Sequence, residues 1–310
     1  MRGIVIKSTG NLSKVLCDDK NIYLCKIKGK TRLLNIEFTN PLAVGDNVHF
    51  SYDIKNKIGT IDKVEKRKNY IIRRSVNLSH KSQVIASNID LALLVVTIDN
   101  PITSLAFIDR FLVTSEAYGI PAKIIFNKVD LYTGSSKKKY DYYRNIYKNI
   151  GYQCFTISAT DRVYFETIRN LMIGKTSVLT GHSGVGKSTI VNLISPGLNL
   201  KTHSISDSHN QGVHTTTYAQ MFALDFGGYI IDTPGIKGLG LIDLDKNILS
   251  GYFPEMLSIK MECRFKNCMH VNEPECAVIL GVENKIIEKS RYKNYISMLE
   301  ENTNYRKNNY

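Results

Sequence analysis

The chain is 310 residues long, 43% hydrophobic and 22% charged, with a formal charge of +13 and an isoelectric point near 9.3. It contains no apolar run of roughly 18 residues and no secretory h-region, which excludes membrane-spanning and signal-led classes and makes a soluble, cytoplasmic protein the expectation. Six cysteines are few for this length, so a disulfide scaffold is excluded as well.

Residues 1–72 carry 14 basic and 7 acidic groups, over half of the whole excess. Such a balance favours a polyanionic partner through counterion release and steering. With no amphipathic anchor or lipidation signal, nucleic acid is the better candidate than a membrane, although a lysine-rich composition alone gives a similar balance. Strands are expected at 3–7, 13–17, 22–27, 47–52 and 59–64, separated by turn signals such as Thr9-Gly10, Asp18-Asp19 and Gly45-Asp46. Strands so short and so closely spaced suggest a small barrel of the OB type, a fold that binds oligonucleotides. Tyr23, Phe38, Phe50 and Tyr52 are either stacking residues or core. The basic run 63–74 is either a solvated linker or an arm that contacts phosphates.

From Asn88 onward, apolar runs alternate with helix-length segments. Strands are expected at 91–98, 123–126, 154–157, 177–180 and 229–231, with helices at 104–118, 136–150 and 164–172 and a helix-compatible stretch at 190–194. This alternation predicts a doubly wound parallel sheet, whose ligands bind at the carboxyl ends of the strands. Four motifs fall there. After the strand at 177–180 comes Gly181-His182-Ser183-Gly184-Val185-Gly186-Lys187-Ser188-Thr189, a phosphate-binding loop. Its glycines let the backbone reach the phosphates, Lys187 can reach the β/γ-phosphates, and the Ser188 hydroxyl can take Mg²⁺.

After the strand at 123–126 comes Asn127-Lys128-Val129-Asp130, the N-K-x-D pattern that selects guanine. The Asp130 carboxylate can accept from both N1–H and the 2-amino group, donors that adenine lacks. Ser158-Ala159, after the strand at 154–157, is compatible with a loop whose backbone contacts guanine O6. Asp232-Thr233-Pro234-Gly235 would hold Mg²⁺ through water at Asp232 and sense the γ-phosphate at the Gly235 amide. Between these lies Gly212-Val-His-Thr-Thr-Thr, where Thr215 or Thr216, with Thr216 preferred, supplies a second hydroxyl for Mg²⁺ within a loop that orders on the γ-phosphate. A Ras-like chain begins with the phosphate loop. Here N-K-x-D precedes it, a circular permutation that leaves the spatial strand order intact.

Beyond residue 240, Cys263-x4-Cys268-x-His270-x5-Cys276 offers three sulfurs and an imidazole, a set suited to one closed, structural zinc. Helices are expected at 247–253 and 284–300. The architecture that follows is multidomain: an OB-type β-barrel at 1–72, a circularly permuted α/β P-loop GTPase domain at 73–244 and a mainly helical zinc-binding domain at 245–310.

Barrel, N-K-x-D, G-H-S-G-V-G-K-S-T, G-x-H-T-T-T, D-T-P-G and the cysteine set together closely resemble the RsgA family, also called YjeQ or YloQ, and the likeness covers nearly the whole chain. The resemblance implies a GTPase of late small-subunit maturation, binding 16S rRNA, stimulated by the small ribosomal subunit and released by hydrolysis. Ras-type enzymes follow D-x-x-G with a glutamine that orients water. Here that position is Ile236, so another group must serve, and the resemblance also points to His214. One complete site and no dimer seam make a monomer the expectation.

Overall fold

A computed structural model of the chain describes residues 1–10, 12–29, 40–74, 82–158, 162–198, 219–232 and 245–307. Its first strands, β1 (Arg2–Thr9), β2 (Leu12–Cys17), β3 (Ile22–Ile27), β4 (Asn47–Asp53) and β5 (Ile58–Val64), lie where the turn signals place them. β1 pairs antiparallel with both β2 and β4, β3 runs parallel to β5, and β5 returns antiparallel to β4. The sheet therefore closes into a barrel, and closure removes the edges that an open sheet this small would expose. Val5, Val15, Cys25, Val48, Phe50 and Ile61 fill its interior. Phe50 is thus core. Tyr23 and Tyr52 meet edge-on at 4.8 Å and lean on the same cluster, while Phe38 lies outside the described residues.

Within the basic run 63–74, Arg67 has a structural partner, while Lys63, Lys66 and Lys68 stay exposed. Asp46 is fully buried, and a carboxylate out of water needs a partner. Arg67 supplies it with bonds of 2.7 and 2.8 Å, and the Ser87 hydroxyl donates a third at 2.7 Å. Lys68 pairs with Asp90, and the run ends in β6 (Tyr70–Arg74), which forms a separate hairpin sheet with β7 (Ser82–Ser87).

The strands β8 (Leu91–Val96), β9 (Ala122–Phe126), β10 (Cys154–Thr156), β11 (Thr176–Thr180) and β13 (Tyr229–Asp232) lie parallel in the order β10-β9-β8-β11-β13. The antiparallel β12 (Gln220–Ala223), which lacks a strand-length apolar run, adds beside β13. Through Lys7 and Gln220 it also touches β1, joining barrel and α/β sheet into one 11-stranded sheet. An irregularity between Val5 and Lys7 lets β1 turn out of the barrel to do so. β8 shows why the sheet must be covered twice. Ala92, Leu94 and Val96 face one core with α1 (Leu105–Ala117) and α2 (Gly134–Ile150), whereas Leu91, Leu93 and Val95 face another with α3 (Arg162–Met172) and α4 (Lys187–Ile194).

The C-terminal region holds α5 (Lys246–Leu249), α6 (Pro254–Leu257), α7 (Ala277–Glu283) and α8 (Lys289–Lys307). The helix expected at 247–253 tightens after Leu249 into a 3-10 turn over Ser250–Tyr252 and ends at Phe253, which is extended ahead of Pro254. The helix expected at 284–300 begins at Lys289 instead, since the chain first leaves α7 through Lys285 in the left-handed region at φ 59°. These helices close around Leu249, Phe253, Met256, Tyr295 and Met298, and α1 contributes Val113 to that core. Among the described residues, no helix is long and apolar enough to cross a membrane.

Candidate functional site

The loop from β11 to α4 turns on its glycines. A Cβ on Gly181, at φ 144°, would strike the Val95 carbonyl, and one on Gly186, at φ 99°, would strike the Asn127 side chain. Both positions are therefore closed to larger residues, and the loop can bring its amides to the N-terminus of α4. Lys187 and Ser188, the first residues of that helix, are buried. The Lys187 ammonium donates to the carbonyls of Gly181 at 2.9 Å and His182 at 2.7 Å, which poises it over the loop. Ser183, Gly184, Val185 and Thr189 complete the expected loop, with Val185 packed in the core beneath it.

The Asn127–Asp130 motif sits beside it because β9 and β11 flank β8. Asn127 Nδ2 donates to the Val185 carbonyl at 2.7 Å, tying the two motifs together although 58 residues separate them. Its Oδ1 is buried with no partner among the described residues, an acceptor that a bound ligand can use. Lys128 adopts a left-handed φ of 62° and donates to the Asn100 carbonyl at 2.7 Å, and Val129 and Asp130 follow in a short turn with Asp130 exposed. Tyr132 was not expected to matter. Its hydroxyl donates to the Asn127 carbonyl at 2.6 Å and accepts from the Ile98 amide at 2.9 Å. Burial pushes its pKa up to about 12, so it stays a donor. No sequence pattern marks such a brace.

Ser158 is buried at the end of the neighbouring β10 connection, next to β9. Asp232 ends β13, the strand paired with β11, and burial pushes its pKa up to about 6 although the nearby Lys187 ammonium pulls it down. A half-buried carboxylate whose charge water solvates poorly is a fitting ligand for a divalent cation. The His182 ring lies against Phe107, and burial and then Lys187 hold its imidazole below the usual histidine value, which favours the neutral form at pH 7. Ala159, His214, Thr215, Thr216 and Gly235 lie outside the described residues.

Far along the chain, Cys263, Cys268, His270 and Cys276 converge, with their ligand atoms all within 4.8 Å of one another. His270 Nδ1 lies 3.4 Å from Cys276 Sγ and 3.6 Å from Cys263 Sγ, and those two sulfurs are 3.9 Å apart. These match the edges of a tetrahedron with metal–sulfur bonds of about 2.3 Å and metal–nitrogen bonds of about 2.0 Å. The four residues therefore could hold one metal ion.

Two family models match the chain. The family model described as RsgA GTPase matches residues 64–242, and that described as RsgA N-terminal domain matches residues 2–61. A curated relative from Christiangramia forsetii, named small ribosomal subunit biogenesis GTPase RsgA, is 49% identical over 313 residues, covering 100% of this chain and 99% of its own. One of the same name from Flavobacterium psychrophilum is 49% identical, with 97% and 93% covered. Among solved structures, YjeQ from Thermotoga maritima superimposes with a TM-score of 0.79 at 36% identity, covering 97% of this chain and 98% of its own. YloQ, described as a circularly permuted GTPase, gives 0.76 at 28% identity, with 98% and 95% covered.

Proposed function

The chain belongs to the RsgA family of GTPases, and from that premise we propose that it hydrolyses GTP on the small ribosomal subunit late in that subunit's maturation, leaving when the γ-phosphate is lost. The observation that supports this reading is the Asn127–Val185 bond, which ties the Asn127–Asp130 motif to the Gly181–Thr189 loop. In phosphoryl transfer the protein chiefly positions groups and neutralises charge. The loop amides and Lys187 would receive charge on the phosphates, Asp130 would read the base edge with Asn127, Lys128 and Ser158 around it, and His214 would orient the attacking water in place of Ile236. Mg²⁺, held by Ser188, Thr216 and Asp232, would neutralise the β- and γ-phosphate oxygens. The cysteine set would hold zinc, whose preference for thiolate and imidazole suits these donors. We assign RNA contact to 1–72 and 245–310, nucleotide work to 73–244, and a monomer working in the cytoplasm.

GTP turnover measured alone and with purified small or large subunits, at fixed salt, tests the assignment. Strong stimulation by the small subunit alone is the expected result; equal stimulation by both, or by neither, would remove the ribosomal part of it. Asp130→Asn should weaken GTP by roughly tenfold to a hundredfold, because a bond to a charged group is worth about 1.5–3 kcal/mol. The same variant should gain affinity for XTP, whose 2-oxo group accepts from a carboxamide. Unchanged GTP affinity would show that Asp130 does not read the base.

A further inference from the structure

The phosphate loop is braced from outside by a residue that belongs to none of the motifs. Ser104 caps α1, its hydroxyl accepting from the Phe107 amide at 3.2 Å, and this fixes the first turn of the helix. From that turn the Phe107 ring lies against the imidazole of His182, with centroids 3.9 Å apart and planes 31° from parallel. That is a stacked pair, of the kind that contributes beyond buried area. The carbonyl of the same His182 accepts from Lys187 Nζ, so the ring contact acts one residue away from the ammonium that would meet the phosphates.

The other side of α1 is gripped by the C-terminal region. Two residues beyond Phe107, Asp109 accepts from Arg291 at 2.8 Å and Asn294 at 2.6 Å, both on α8, and from Tyr147 of α2 at 2.7 Å. One turn further, Val113 enters the core of the metal-binding region. A helix clamped at Asp109 does not shift without carrying Phe107 along, because close-packed contacts transmit displacement rather than absorb it.

We propose that Phe107 is a positioning residue for the phosphate loop, holding it through the His182 ring and passing to it the placement of the metal-binding region that grips the same helix. The inference rests on the phosphate-loop reading above. Phe107 has no polar group for a phosphate, so its effect must run through His182.

Labelled GDP and GTP binding, with turnover alone and on small subunits, tests this in the full chain. Phe107→Ala should weaken nucleotide binding about three- to tenfold, the worth of one aromatic pair, and Phe107→Tyr should restore it. His182→Ala, which touches less of the core, should do the same alone but add little to Phe107→Ala. Asn294→Ala should alter nucleotide affinity only while Phe107 is present. The proposal is overturned if folded Phe107→Ala or His182→Ala protein binds and turns over like wild type, if their effects add, or if Asn294→Ala acts equally in both backgrounds. A wild-type chain that binds no guanine nucleotide would instead sink the nucleotide reading itself.

Discussion

Stripping the metal with a chelator, or replacing Cys276 by serine, should unfold much of residues 245–307 while the barrel and the α/β sheet stay folded. Between Lys260 and Cys276 the chain has only a short 3-10 turn. Of its apolar side chains, Met261, Phe265 and Val271 are 85%, 41% and 41% exposed, and Met269 and the cysteines are what lean on the core. A segment that buries so little offsets its own conformational entropy poorly, so a metal on the four ligands would have a large effect here. The loss would spread outward. Tyr292 donates to the His270 carbonyl at 2.8 Å and Tyr295 to the Met269 carbonyl at 2.7 Å, and both tyrosines stand on α8. Structural zinc in small sites contributes about 10–16 kcal/mol, so its loss should be felt across this core. Metal content, limited proteolysis and thermal unfolding check this together. One zinc per chain, lost with protease resistance beyond residue 245, is the expected result; a chelated protein that kept both its resistance and its melting profile would show that packing alone suffices.

What could be read in the sequence was whatever had a local signature. Gly181 through Thr189 carry their chemistry within nine positions, and the cysteine set within fourteen. Strands such as β8 announce themselves as apolar runs because both their faces are covered. What could not be read depends on partners far apart in the chain. Arg67 looked like one more charge in a basic run until Asp46 required it. β12 has four residues and acquires its register from β13. Tyr132 and Phe107 sit in ordinary contexts, and only folding sets one behind Asn127 and the other against His182. Asp109 likewise reads as a helical surface charge, yet it is fully buried.

That aspartate leads to the other large effect. Arg291 is fully buried, bonded to Asp109 at 2.8 Å and to Glu255 at 2.6 and 3.1 Å, with its guanidinium 4.6 Å from the Phe253 ring. Three charges on α1, α6 and α8, all largely out of water, meet at the junction between the α/β sheet and the C-terminal region. Removing one partner of a buried pair costs about 3–5 kcal/mol, because the other is left uncompensated. Arg291→Ala abandons two carboxylates, but Tyr147 and Asn294 still donate to Asp109, so the cost should fall near the lower end, about 3 kcal/mol. If charge is the cause, Arg291→Met combined with Asp109→Asn and Glu255→Gln should recover most of the loss, since no buried charge remains. If the cause is shape, Arg291→Met alone should recover as much as the triple variant. Urea unfolding of these proteins separates these outcomes, and a loss under about 1 kcal/mol for Arg291→Ala would place the hold of this junction in Val113 and its apolar neighbours instead.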